Sequence, residues 1–411
     1  MRFNGVPVSA ARTGFQAGAD LSNVTFLPAD NSALVKSDFN DTTYTGGRVS
    51  ALWDINDDWS LLVSQQHQEM DTDGVFFADP DLGDLKVQRF SPDSTDDDFD
   101  NTSWTVNGLI GQLEVVYTGA FTDRDTNQIV DYTDYLFVGQ YLPYYICDGS
   151  VTYPGAAGPT GTCQSPNLFV DSSTSTKASS HEIRIETDPS NRFRVTAGGF
   201  YEKLELKELN DFTYPGSLNA VSFDGVTTGF GPNYPLTNTA VTGLVGNASP
   251  GYFSDPGPFP PDVIFRNDVK RTDEQKGIFG EATFDVNDAF SVTVGLRYYD
   301  ISVDFKGSAN SSFFNFGQTT DAQAFGTNIS AQFAPGNPFG APNDASTDGF
   351  ITKLTANWRP NDEQMYYLTF SQGFRPGLLN RPGGKQNTAG TFTVPFSLDT
   401  DDVNDFEVDI K

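Results

Sequence analysis

The sequence predicts an all-β fold, an antiparallel β-barrel wall whose strands cross a membrane, with long loops at one end. Three observations predict it. Apolar and polar residues alternate with period two over most of the ordered-looking segments, as in strands with one apolar face. Tight turns centred on Asn56, Gly108 to Gly111, Asn191, Asn287 and Asn361 alternate with polar segments of several tens of residues. Aromatics (Trp53, Trp59, Phe193, Phe290, Trp358, Tyr366) flank the tight turns, as an interfacial girdle requires. Long structureless connections are uncommon in compact soluble domains, whereas short turns on one side and long loops on the other suit an outer-membrane barrel.

Residues 1 to 40 show no clean period and read as loop or as the remains of an earlier strand. The first hairpin places Val49, Ala51 and Trp53 on one face, turns at residues 54 to 58, and returns with Trp59, Leu61 and Val63. Residues 71 to 100, with ten Asp against Lys86 and Arg89, read as a solvated acidic loop. Within it, residues 93 to 98 offer oxygen ligands for Ca²⁺ but lack the Gly and terminal Glu of a calcium loop. Trp104 and Val106 then lead through an ambiguous turn to Leu113, Val115 and Tyr117. A second long loop, residues 131 to 176, holds eight aromatics and both cysteines.

The third hairpin alternates Ile183 and Ile185 with charged residues, turns at residues 188 to 191, and returns with Phe193, Val195, Ala197 and Tyr201. A long Gly/Pro-rich loop reaches about Asp268. Ile278 to Val286 and Phe290 to Tyr298 form the fourth hairpin, and a fourth loop covers about 307 to 347. Phe350 to Trp358 and Tyr366 to Phe374 form the fifth, and Phe406, Val408 and Ile410 mark a last strand, about 11 strands in all. The apolar phase slips by one residue after Tyr201, to Leu204 and Leu206, and after Tyr298-Tyr299, to Ile301, Val303 and Phe305. Such slips are expected where a strand leaves the lipid through a bulge.

The bulk composition agrees. The chain has 411 residues, 13% of them aromatic, with 39 Gly and 24 Pro, which suits strands and turns. A net charge of −29 excludes a nucleic-acid partner, since phosphate binding needs a basic surface. No run of about 18 apolar residues marks a membrane helix, which says nothing against a spanning barrel. Cys147 and Cys163 sit in one loop with 15 residues between them. A disulfide there, expected in an oxidising compartment, would restrict the unfolded chain by roughly 3 kcal/mol; two free thiols are the alternative reading.

Four segments carry a resemblance. They are residues 46 to 53 (GGRVSALW), 295 to 299 (GLRYY), 367 to 377 (YLTFSQGFRPG) and 403 to 411 (VNDFEVDIK). In this order they resemble the TonB-dependent outer-membrane receptors. The resemblance implies a large barrel in the outer membrane of a Gram-negative bacterium, contacting its lipid. It implies uptake of a scarce, bulky nutrient, most often a ferric siderophore, driven by the TonB system. It also implies a signal peptide, a TonB box and a plug domain, none recognisable here, and about 22 strands. Residues 1–411 therefore read as one partial barrel domain without a plug, and no catalysis or cofactor is expected.

Two other classes fit the alternation alone: a passive porin, and a soluble secreted carbohydrate-binding or adhesive protein. His67 and His181, the only histidines, are too far apart in sequence to form a metal motif and read as lumen or surface residues. The aromatic loop from Tyr132 to Phe169 is the best candidate for contact with an external ligand, with a purely structural loop the alternative. Gly198-Gly199 reads as barrel packing. Arg375 reads either as an anion contact or as a brace for the Pro-Gly turn.

Overall fold

A computed structural model of the chain describes residues 30–75, 78–79, 82–133, 167–215, 253–255, 259–311, 344–377, 379 and 397–410, and the backbone of four short outlying strands. Those four are β1 (Arg2–Phe3), β2 (Val6–Pro7), β3 (Val24–Phe26) and β8 (Gly161–Cys163); β1 pairs with β2, and β3 lies parallel to β8. The other eleven strands form one sheet. They are β4 (Thr42–Asn56), β5 (Trp59–Asp73), β6 (Ser94–Ile110), β7 (Leu113–Asp131), β9 (Phe169–Thr187), β10 (Phe193–Thr213), β11 (Val263–Asn287), β12 (Phe290–Ser311), β13 (Asp344–Asn361), β14 (Gln364–Arg375) and β15 (Asp401–Ile410). Each pairs antiparallel with the next, so the sheet is an uninterrupted meander with β4 and β15 as its edges.

Short polar side chains close the tight turns. Asn56 Oδ1 accepts the Asp58 N–H at 2.9 Å, Asn287 Oδ1 accepts that of Ala289 at 2.9 Å, and Asn361 Oδ1 accepts that of Glu363 at 3.0 Å. These are turns in which the side chain replaces a backbone acceptor. In the 188–191 turn Asp188 does this for Ser190 at 2.8 Å, so the residue that organises it is Asp188 rather than Asn191.

Cross-strand partners share a face, and their register separates two surfaces. One row runs Leu61, Val106, Tyr117, Ile183, Gly199, Ile278, Tyr298, Phe350. The row behind it runs Leu62, Thr105, Thr118, Glu182, Phe200, Gly277, Tyr299, Gly349. The polar face is the sheltered one: Thr293 and Tyr299 are 8% and 5% exposed, against 54% and 50% for Val294 and Leu296 on the apolar face. A curved sheet crowds the side chains on its hollow side, so the polar face is concave and the apolar face convex. This inverts a soluble β-protein, which puts its apolar face inside. The buried apolar cluster among the described residues is small, Phe259 with Val263, because a single-layer wall has no conventional core.

Three expectations from the sequence need correction. The acidic segment is not a loop throughout: β5 runs to Asp73 and β6 begins at Ser94, so residues 94 to 98 are strand. The later loops are likewise shorter, since β9 begins at Phe169, β11 at Val263 and β13 at Asp344. These upper strand ends no longer carry apolar residues on the convex face alone, which erases the expected period-two signal. Third, no bulge accompanies the phase slips. The register through Tyr201 and through Tyr298-Tyr299 is continuous, and the irregularities lie elsewhere, between Phe212 and Thr213 and between Asp285 and Asn287. The strands keep their register and the environment reverses instead. Above the apolar band Lys203, Glu205, Lys276, Asp300 and Asp304 occupy the convex face, while Leu204, Leu206, Ile301, Val303 and Phe305 turn to the concave one.

Candidate functional site: the concave wall and the loop base

The concave wall begins at the tight turns with paired charge. The Arg194 guanidinium meets both carboxylate oxygens of Asp285, and Lys353 Nζ lies 3.1 Å from Glu281. Arg184 bridges two acids on its own strand, Glu182 at 3.2 Å and Glu186 at 2.8 Å. Between the charges runs a threonine ladder in register, Thr283, Thr293, Thr355 and Thr369, with hydroxyl pairs at 2.8 Å and 3.0 Å. Arg297 lies over the Phe200 ring, 5.8 Å from its centroid. Tyr367 donates to Glu407 and Arg375 pairs with Asp401, which gives Arg375 a structural partner on the neighbouring strand. Such a wall is wettable and fixed by rigid strands, suited to a polar solute or a polar protein insert.

The convex face is built differently. Trp358 and Tyr366 pack at 5.2 Å near the tight turns, and Tyr298 and Phe350 at 5.1 Å near the upper limit of the apolar band. Two tryptophans lie across glycines of the next strand: a Cβ on Gly108 would come within 2.3 Å of the Trp59 ring, and one on Gly119 within 2.5 Å of Trp104. These glycines are seats for the rings, the cross-strand pairing of an aromatic with a glycine. Of Gly198-Gly199, read as barrel packing, Gly198 on the concave face is tightly enclosed, since a Cβ there would come within 2.5 Å of the Ile183 carbonyl oxygen, whereas one on Gly199 would meet nothing closer than 3.8 Å. His181 lies on this face among Trp104, Tyr117 and Tyr201, with Nδ1 2.9 Å from the Tyr117 hydroxyl.

At the other end, buried carboxylates anchor the loops to the sheet. Asp131 accepts N–H bonds from Phe90, Ser91 and Thr133, and Asp93 accepts that of Asp131 at 2.8 Å. Burial raises the Asp93 carboxyl above its ordinary value, against the opposing pull of the Asp131 N–H and Arg89. Asp97, 7% exposed, meets Arg124 at 2.7 Å and the Thr126 hydroxyl at 2.6 Å. The acidic stretch is therefore partly interior. On β11, Asp268 gathers the N–H groups of Phe253, Ser254 and Asp255 and the Ser254 hydroxyl. Arg266, 2% exposed, grips Asp211 at 2.6 Å and Asp255 at 2.8 Å beneath the Phe259 ring. This cluster pins residues 253–255 and Phe259 to the upper sheet, and nothing in the spacing of its members reveals it.

Between the segment before β4 and the β5–β6 connection lies a cavity of about 770 Å³, lined by Leu34, Val35, Phe39, Val87, Arg89 and Asp93 among others. Its apolar wall and charged floor suit a small amphipathic ligand. Of the aromatic loop, Tyr132 packs edge-on against Phe212 at 5.4 Å. Most of the rest of that loop lies outside the described residues, as do Cys147 and the side chain of Cys163, and so does their expected pairing.

Comparison with known proteins agrees with this geometry. Residues 5–404 match the family model described as TonB dependent receptor-like, beta-barrel. The solved ferric yersiniabactin uptake receptor FyuA from Yersinia pestis is similar over 94% of this chain and 45% of that one, at 11% identity and a TM-score of 0.58. The siderophore receptor PiuA from Acinetobacter baumannii is similar over 91% and 48%, at 10% identity and a TM-score of 0.52. BauA, the ferric preacinetobactin receptor from Acinetobacter baumannii, is similar over 92% and 46%, at 10% identity and a TM-score of 0.51. The chain thus spans about half the length of these structures. No curated protein matches. The family is one of receptors and transporters rather than enzymes, and its members are outer-membrane barrels of Gram-negative bacteria. With the match covering nearly all of its length, this chain belongs to the TonB-dependent receptor β-barrel family.

Proposed function

We propose that residues 1–411 form part of the barrel wall of an outer-membrane receptor that takes up a scarce, bulky nutrient, a ferric siderophore being the class favoured. One observation carries the reading: a charged, threonine-laddered concave wall backed by an apolar, aromatic-edged convex face. The siderophore receptors among its structural neighbours support the substrate class. In this reading the convex face meets lipid, the concave wall encloses a plug, and the cavity at the loop base joins the external loops in first contact with the ligand. Energy comes from TonB acting on the plug, not on any residue described above. The disulfide between Cys147 and Cys163 belongs to the same proposal, since the outer face of the outer membrane is oxidising.

The test is uptake of iron-55 chelates by cells lacking the gene and by cells complemented with it, each with and without TonB. The proposal expects accumulation of at least one ferric siderophore only where both gene and TonB are present. Uptake that persists without TonB would instead mean passive diffusion through a porin.

A further inference from the structure

The convex surface of β5 and β6, just above the apolar band, carries a two-by-two grid of metal-ligating side chains. His67 lies directly opposite Asp100, and Glu69 directly opposite Asp98. His67 Nδ1 is 3.4 Å from Asp100 Oδ1, and His67 Nε2 is 3.6 Å from Glu69 Oε1. One donor atom from each of His67, Glu69 and Asp98 lies within 4.8 Å of the other two. Ligand atoms about 2.0–2.2 Å from a common Zn²⁺ are roughly 3.3–3.6 Å apart in a tetrahedron. Side-chain rotation alone closes the difference, because both strands are already fixed by the sheet.

The register supplies a second reason. Asp125 follows Asp98 in the same row, so Glu69, Asp98 and Asp125 stand side by side on three strands, with Lys177 acting on Asp125 from the next row and His67 beside Glu69 and Asp98. Like charges directly opposite one another destabilise a strand pair. The neighbouring row is relieved, since Asp123 beside Asp100 is held by Lys177 at 2.9 Å. On the other flank Gly47 faces His67, and nothing lies within 4 Å of where its side chain would be. Ion and water can approach there.

We propose that His67 Nε2, Glu69 and Asp98 form a binding site for one divalent transition-metal ion, with Asp100 accepting the other imidazole N–H; Zn²⁺ is the best-matched probe. One imidazole nitrogen with two or three carboxylate oxygens suits Zn²⁺ and disfavours Ca²⁺, which takes oxygen ligands in larger number. The site lies on the outside of the wall, separate from the concave face, so it binds its ion independently of nutrient passage. Its effect is to clamp the upper ends of β5 and β6, where the acid row otherwise pushes them apart.

The test is calorimetric titration of ZnCl₂ into the detergent-solubilised full-length receptor, in chelator-free buffer with excess CaCl₂. The expected result is one saturable site, weakened at least tenfold by His67→Ala and by Asp98→Asn, and unchanged by His181→Ala. Co²⁺ in place of Zn²⁺ should give the visible absorption of a low-coordinate site, absent in His67→Ala. The four side chains are exposed, so the variants fold, which resistance to protease checks. Absence of a saturable site, wild-type affinity in His67→Ala, or displacement of Zn²⁺ by the excess Ca²⁺ would overturn the proposal.

Discussion

Replacing Leu354 by Lys puts a charge on the convex face at the middle of the apolar band. Phe350, Thr352, Leu354, Ala356 and Trp358 share that face of β13, bounded by the aromatics Phe350 and Trp358. Leu354 is four residues from either end, roughly 13 Å along the strand at about 3.3 Å per residue. In lipid, a Lys at that depth costs about 2–4 kcal/mol. The next residue is the control. Thr355 points to the concave side and loses in Thr355→Lys a single hydroxyl pair with Thr369 at 3.0 Å, about 0.5–1.5 kcal/mol. Lys353, also concave, already carries a charge at nearly the same depth. The structure thus predicts that Leu354→Lys lowers stability by about 0.5–3.5 kcal/mol more than Thr355→Lys. Equilibrium guanidinium unfolding from phospholipid vesicles measures both. Equal losses, or a greater loss for Thr355→Lys, would refute the assignment of faces.

Three further outcomes follow from the loop base and the ring seats. Arg266→Met leaves the carboxylates of Asp211 and Asp255 without their shared cation, at about 3–5 kcal/mol. Limited proteolysis should then cut between residues 253 and 262 at far lower protease concentration, whereas wild-type resistance would argue against the anchor. Gly119→Ala drives a methyl into the Trp104 ring, costs about 1–3 kcal/mol by overpacking, and should shift tryptophan emission; an unshifted spectrum would count against the seat. Burial raises the Asp93 carboxyl, so its folded value exceeds its unfolded one. Its stabilising contribution is complete below the unfolded value and is lost as pH rises through the folded value. Hydrogen-exchange protection of the Ser91 amide, which donates to Asp131 beside Asp93, corrected for intrinsic rate, should therefore rise as pH falls toward the ordinary carboxylate range. Asp93→Asn should flatten that profile, and a profile that survives the substitution would exclude Asp93 as its source.

Much of the wall was legible in the sequence because the membrane imposes a simple code. Where one face meets lipid and the other a polar interior, hydropathy alternates, as from Phe290 to Tyr298 and from Phe350 to Trp358. The tight turns were legible because Asn56, Asn287 and Asn361 close them locally. The code fails above the apolar band, where the convex face turns polar, apolar residues move to the concave face, and β6 opens on Ser94-Thr95-Asp96-Asp97-Asp98. It also misread the slips after Tyr201 and Tyr298-Tyr299 as backbone irregularities, when the solvent on each face had changed places.

The sites were less legible, for a geometric reason. A hairpin fixes its register by its turn, but β5 and β6 are joined by residues 74 to 93, so no count along the chain pairs His67 with Asp100. The same holds for Arg266 and Asp211, which are 55 residues apart. The glycine seats carried a faint signal, an aromatic and a glycine in strands already expected to be neighbours. Gly108 was instead absorbed into an ambiguous turn, which lies beyond Ile110.

The account rests on the convex face lying in lipid, and single-cysteine spin labels at residues 350 to 358 test that most directly. Power-saturation measurements in lipid vesicles would report collisions with oxygen, which concentrates in lipid, and with a water-soluble nickel chelate. The account predicts two opposed period-two profiles: oxygen contact at Phe350, Thr352, Leu354, Ala356 and Trp358, and chelate contact at Ile351, Lys353, Thr355 and Asn357. Chelate contact at every position, without alternation, would contradict it.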